Sequence, residues 1–287
     1  MKICKSKDGM GINEDFTMWS HGNENNMIKI EDGNRNGIRT KVIVRDLNTG
    51  EILFRGHNKT MLAGSEFMAM RMFRIKGGAF TTPTYNTQIG LDSTVSNQTN
   101  CMSMNYHTQV FCIGKDGCNR ESAIWYPVSN KKWIEPLNLV PFQYVPFNDD
   151  LNPTERNIYF GRKTISEDQH YAYYFKKFDS DPVLKKQFED GTPWTASIYD
   201  DNSELTAQVV VTNSLTITKD DGRDYYINTS GINDARFNCI ELCAAWTNVI
   251  SGYTFYQDIR PFTRINFPNK YLNDLNAEFS IEYSLYF

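Results

Sequence analysis

The sequence predicts a mainly β protein: an antiparallel β-sandwich with one α-helix in its N-terminal half, an extended N-terminal arm and a long loop insertion. Three observations carry this reading. Residues 277–287 alternate, with Ala277, Phe279, Ile281, Tyr283, Leu285 and Phe287 apolar and Glu278, Ser280, Glu282 and Ser284 polar. Successive side chains of a strand point to opposite faces, so this stretch has one buried and one wet face. The chain is rich in aromatics (18 Phe, 16 Tyr, 5 Trp), which suit pleated, half-buried surfaces. Short apolar runs separated by turn residues argue for a sandwich over a parallel sheet.

Residues 1–36 hold Gly9, Gly11, Gly22 and Gly33 among Asn and Asp with little periodicity, and read as the extended arm. Residues 37–287 read as one sandwich domain. Arg39–Arg45 and Glu51–Arg55 form a hairpin turned by Asp46-Leu-Asn-Thr-Gly50, where Asn and Gly reach positive φ. Asn58-Lys-Thr60 offers caps for a helix carrying Leu62, Ala63, Phe67, Met70 and Phe73 at helical spacing, and Gly77-Gly78 stops it. Gln88–Asp92 reads as a short strand. Residues from about 93 to 156, punctuated by Pro127, Pro136, Pro141 and Pro146, read as an inserted loop-rich region with short strands.

Asn157–Phe160 and Tyr171–Phe178 read as strands, and Val183–Phe188 as one or two helical turns after Pro182. Ala207–Thr218 is the clearest internal strand. Asp220-Asp-Gly222 turns it into a hairpin partner over Tyr225–Asn228. Asn238–Trp246 and Tyr253–Ile259 read as strands, Pro261–Pro268 as a connector, and the alternating terminal stretch closes the domain on a packed Phe287.

Composition excludes several function classes. With 30 basic and 34 acidic residues, the near-balanced charge gives no footprint for sequence-specific nucleic-acid binding. No stretch approaches the ~18–20 apolar residues that cross a bilayer, and Met1–Gly9 lacks a signal-peptide apolar core. The acceptor patterns at Asn58, Asn97 and Asn228 therefore carry no weight. The six cysteines are spaced more loosely than CxxC pairs, which argues for free thiols over zinc. His21, His57, His107 and His170 fit no metal-helix spacing, and neither a nucleophile elbow nor a phosphate loop occurs. Asp220, Asp221 and Asp224 read as a solvated turn. The sequence thus predicts no catalytic residue, no cofactor and no metal, and no enzyme.

Two segments resemble a known group. Asn58-Lys59 followed by Ala63-Gly64 and Phe67 opens the apolar helix. Ile265-Asn-Phe267-Pro268-Asn-Lys270 leads through Leu275 to Phe279, Ile281, Tyr283, Leu285 and Phe287. This pairing resembles small structural proteins of tailed bacteriophages, with Tyr283 where that group often has Trp. The Asn-, Lys-, Ile- and Tyr-rich composition is similar to that of the ring proteins of crAss-like phages. The resemblance implies a structural virion protein, made in the host bacterial cytoplasm. It would form a ring or collar of six or twelve copies in the tail or neck, beneath the portal, against other tail or neck proteins. A head or tail fibre that binds a receptor or glycan, and a capsid-decorating protein, are the alternatives. Assembly interfaces favour Tyr, Trp and Phe, so Trp125, Tyr126, Trp133, Tyr171, Tyr173 and Tyr174 are the expected assembly contacts.

Overall fold

The structure is a computed structural model that describes residues 39–56, 59–60, 64, 68, 85, 89–92, 106–121, 124–127, 138–188, 190–193, 207–250, 253–273 and 277–286. Its strands are β1 (Arg39–Asp46), β2 (Ile52–Gly56), β3 (Lys59–Thr60), β4 (Tyr106–Gly114), β5 (Cys118–Glu121), β6 (Ile124–Pro127), β7 (Leu139–Val140), β8 (Gln143–Pro146), β9 (Tyr159–Ile165), β10 (His170–Lys177), β11 (Val183–Phe188), β12 (Ala207–Ile217), β13 (Arg236–Ile250), β14 (Tyr253–Tyr271) and β15 (Phe279–Tyr286). The helix whose whole span is described, α1 (Arg223–Thr229), lies between β12 and β13.

Two antiparallel sheets face each other. The five-stranded sheet runs β11-β12-β15-β1-β2, and the eight-stranded sheet runs β3-β14-β13-β4-β10-β8, with β7 on β4 and β9 on β10. β5 and β6 form a separate ribbon. The alternation in the last strand now has a cause. β15 is central, paired with β1 and β12, and it turns Phe279, Ile281, Tyr283 and Leu285 inward. These meet Val42, Val44, Leu215 and Ile217 of their own sheet and Phe111, Ile240, Phe262, Ile265 and Phe267 of the other. The mainly β, sandwich-like fold is therefore present.

A second core lies on the outer face of the eight-stranded sheet: Tyr85, Leu91, Val110, Cys112, Phe160, Phe175, Cys243, Ala245, Tyr256 and Ile259. With both faces covered, β13 needs no polar alternation, which is why Cys239–Ala245 reads as a near-continuous apolar run.

The β1–β2 turn is built as its residues require. Asp46 Oδ1 accepts from the backbone N–H of Asn48 (2.8 Å) and Thr49 (3.0 Å), and Gly50 takes φ +72°.

Several expectations are corrected. Val183–Phe188 is strand β11, not helical turns: its side chains show no helical stripe, and it pairs residue by residue with β12. Residues 223–229 form α1 rather than a hairpin partner, because Asp221 is pulled into the core and only Tyr226 of the segment is fully buried. Pro261–Pro268 is not a connector. β14 runs straight through it, and both prolines lie at register shifts of the β13–β14 ladder, where a missing N–H is tolerated. Ile89–Gly90 is a turn rather than part of a strand. Within the stretch 93–156, β4 sits inside the eight-stranded sheet between β13 and β10. Lys59–Thr60 form β3 on β14 instead of a helix cap.

Of the expected N-terminal helix, Gly64 and Met68 are helical; its other residues, like the arm over 1–36 and Phe287, lie outside the described residues. Gly64 explains the Ala-Gly pair in its segment. A Cβ there would overlap the carbonyl oxygen of Phe262 and lie 2.9 Å from the carbonyl carbon. The helical backbone thus rests directly on β14. Gly64→Ala is expected to lower stability by about 1–3 kcal/mol, the usual cost of overpacking, read as a drop in the urea midpoint at unchanged slope.

Candidate functional site

The sequence-predicted contacts are dispersed. Trp125 and Tyr126 sit on β6, opposite Arg120 and Asn119 of β5. Trp133 lies outside the described residues. On β10, Tyr171 is half-buried, between the Phe147 ring (4.6 Å) and the Arg162 guanidinium (4.4 Å). Tyr173 is a core residue rather than a surface contact: it is buried and donates its hydroxyl to Asp150 at 2.6 Å. Tyr174 packs, half-buried, against the second core. Of the three β10 positions, Tyr171 and Tyr174 are half-buried and Tyr173 is buried, so none is an exposed surface residue.

Three polar clusters lie inside the protein. In the first, Lys176 Nζ donates to Asp221 Oδ2 (2.7 Å) and to the Thr216 carbonyl (2.9 Å). Tyr159 and the Thr218 N–H also donate to Asp221. This arrangement overturns the reading of Asp221 as a solvated turn residue and fixes the β12–α1 corner.

In the second, the Glu241 carboxylate accepts from Arg264 Nε and from the Tyr85 hydroxyl. Cys112 and Cys243 lie beside it with their sulfurs 3.9 Å apart. Cys112, Glu241 and Cys243 place three metal-ligand atoms within 4.8 Å of one another. The donor set does not suit a cation. Both carboxylate oxygens are already engaged, one by a guanidinium, and burial pushes the Cys243 thiol well up. The cluster acts as an internally neutralised ion pair bordered by two buried cysteines.

In the third, the Tyr106 hydroxyl donates to the Asp258 carbonyl at 3.0 Å, and Arg260 reaches Asp258 Oδ1 at 3.2 Å. Asp258 has φ +53°, and Asp258–Ile259 stand opposite the single residue Ala245, a β-bulge. Among the described residues, the pairing of β4 with β13 reaches Trp246↔Tyr106, beside this bulge.

Beyond the bulge the hairpin continues to Ile250 and Tyr253. Its end bears Val249, 63 % exposed, and Phe255, 40 % exposed. Residues 247–256, Thr-Asn-Val-Ile-Ser-Gly-Tyr-Thr-Phe-Tyr, hold no charged side chain. Cross-strand partners share a face. Phe255 pairs Asn248 and Val249 pairs Thr254, so the two apolar side chains stand on opposite faces. At the root, Tyr256 is buried edge-on against Phe160. A second apolar patch lies on β11, where Val183 is 49 % and Leu184 61 % exposed. Sequence reasoning missed both patches. The uncharged ten-residue run was the available signal for the first.

A shallow depression of about 360 Å³ lies between the β8 end and the β9–β10 turn, lined by Phe147, Asn148, Asp168, Gln169 and His170. His170 stacks on Tyr144, whose hydroxyl donates to Asp168 at 2.7 Å. His170 Nδ1 faces the Asp168 carbonyl instead of a nucleophile.

Cys112, Cys118, Cys239 and Cys243 are free and buried. Burial pushes the Cys118 thiol up to about 12 and raises Cys239 and Cys243 further. Desolvation also lifts Tyr174, Tyr226 and Tyr256 to about 12. The folded state therefore holds these protons when the unfolded chain releases them, so stability is lost as pH rises past the unfolded thiol value near 9. The expected slope is about 1.4 kcal/mol per pH unit for each such group. Thermal melts from pH 7 to 10.5 should show an accelerating fall, and N-ethylmaleimide mapping should leave these four thiols unlabelled until denaturant is added.

Among the described residues, no helix is long and apolar enough to cross a membrane. No family model, curated protein or solved structure matches the chain.

Proposed function

We propose that this protein is a non-enzymatic structural component of a tailed-phage virion, assembling as a ring or collar in the tail or neck. The observation that supports this reading is the distribution of polarity. The charged clusters close on one another inside the fold, while apolar side chains stand exposed on two elements, β11 and the β13–β14 hairpin. These patches belong to different sheets and differ in sequence. A ring needs this arrangement, because its head-to-tail contact joins one patch of a copy to a different patch of the next. The resemblance of the Asn58–Phe67 and Ile265–Phe287 segments to phage structural proteins adds the virion context.

A second reading, recognition of a saccharide by a fibre or decoration protein, draws on the depression at Phe147. There an aromatic ring 37 % exposed sits beside amide and carboxylate groups. Native mass spectrometry of the purified chain separates the two. Six or twelve copies supports the ring, three copies the fibre, and a monomer at every concentration rejects the ring.

A further inference from the structure

We propose that Lys176 and Asp221 condense to a side-chain amide, a self-formed isopeptide bond that joins the two sheets covalently. The inference goes beyond the ring reading and does not depend on it. It starts from where the two residues stand. Lys176 lies on β10 of the eight-stranded sheet, and Asp221 follows β12 of the five-stranded sheet. Their contact therefore crosses the sandwich, between positions 45 apart in the chain. Lys176 is 5 % exposed and Asp221 is fully buried. The centres of the Phe142 and Tyr159 rings lie 6.0 and 5.5 Å from the ammonium.

An amine held beside a carboxyl group, away from water, meets two conditions for forming an amide: proximity, and little solvent to reverse it. Nζ lies 2.7 Å from Oδ2, with the carboxyl carbon one bond further on. That places the carbon near the roughly 3–3.5 Å from which reacting atoms close. The neighbours hold the atoms that change. Tyr159 donates its hydroxyl to Oδ1 at 2.9 Å, and the Thr218 N–H donates to Oδ2 at 2.7 Å. Nζ also donates to the Thr216 carbonyl at 2.9 Å. The step balances within the pair. One ammonium proton passes to Oδ2, and the freed lone pair of Nζ attacks Cγ. Negative charge gathers on Oδ1, where the Tyr159 hydroxyl stabilises it. The Cγ–Oδ2 bond then breaks, and Oδ2 leaves as water with a second proton from the nitrogen. Nothing is oxidised or reduced.

The product suits its surroundings better than the ions do. Two buried ions carry a hydration cost that their attraction only offsets, and a neutral amide removes it. The new carbonyl keeps the Tyr159 hydroxyl, and the remaining N–H keeps the Thr216 carbonyl.

The test is the intact mass of the denatured, full-length chain, followed from cell-free synthesis onward, with peptide mapping of the product. The expected result is the loss of one water after folding, and a branched peptide joining the Lys176 and Asp221 segments. Lys176→Arg and Asp221→Ala should keep their full sequence masses. Tyr159→Phe should link about 100-fold more slowly, the usual effect of losing one oxyanion donor. A Tyr159→Phe chain that links at the parent's rate removes Tyr159 from the step. A folded parent that stays at its full mass overturns the bond and leaves an ordinary ion pair. So does a water loss confined to one linear peptide, because Asp221 precedes Gly222 and can close a succinimide on its own backbone. If the variants fail to fold, the parent's mass and its branched peptide decide. None of these outcomes depends on copy number, so the ring reading stands or falls separately.

Discussion

Truncation before Phe279 is expected to leave no folded protein. The missing strand is the central one of its sheet, so two ladders are lost together, eight register pairs with β1 and eight with β12. Phe279, Ile281, Tyr283 and Leu285 are buried, and each large apolar side chain removed from water contributes roughly 1.5–3 kcal/mol. Four of them approach the whole stability of a typical domain, about 5–15 kcal/mol. A cross-sheet tie goes as well, the bond between the Tyr283 and Thr263 hydroxyls at 2.7 Å, and within the sheet Asn213 loses the Tyr283 carbonyl it donates to at 3.2 Å. Circular dichroism and a urea titration of the truncated chain check this. A soluble product with a single cooperative transition would show that the sandwich does not depend on β15.

Glu241→Ala is expected to destabilise by about 3–5 kcal/mol, the usual effect of removing one partner from a buried ion pair. Arg264 is 6 % exposed at its side chain and Glu241 is fully buried, so the guanidinium would lose its countercharge inside the second core. The Tyr85 hydroxyl would lose its acceptor at the same time. The more informative variant is Glu241→Leu/Arg264→Met. It replaces both charges by apolar side chains and should recover most of the loss, because each buried ion costs several kcal/mol of hydration that the pair only offsets. Urea midpoints of the single and double variants give the comparison. Equal destabilisation by both would mean that the pair contributes through shape instead of charge neutralisation.

The sequence was legible where one rule acted alone. The period-2 pattern of Phe279–Leu285 placed a strand, and Asp46–Gly50 placed a turn, because in each case local chemistry and burial agree. It misled where tertiary contacts overrode local chemistry. Asp221 looked like a wet turn residue until Lys176, 45 positions earlier, drew it inside. Pro261 and Pro268 looked like punctuation, yet a ladder with bulges accommodates both. Val183–Phe188 lacks both a period-2 and a helical signature, because its faces are exposed and only its pairing with β12 makes it a strand. Of the aromatic positions expected to meet neighbours, Tyr173 is spent on the core. An aromatic run alone does not reveal which way each ring points. The hairpin end was legible only as a lack of charge.

The pairing of Arg39 with Tyr286 has a mechanical consequence. The chain enters the five-stranded sheet and leaves it at one corner, on neighbouring strands. Tension applied between these two points would peel β1 from β15 one rung at a time, like a zipper, instead of loading the whole ladder in shear. The sheet should therefore yield at low force when pulled between Arg39 and Tyr286, and resist far better when gripped through its hairpins. A load-bearing assembly built from it would have to transmit stress sideways, from copy to copy.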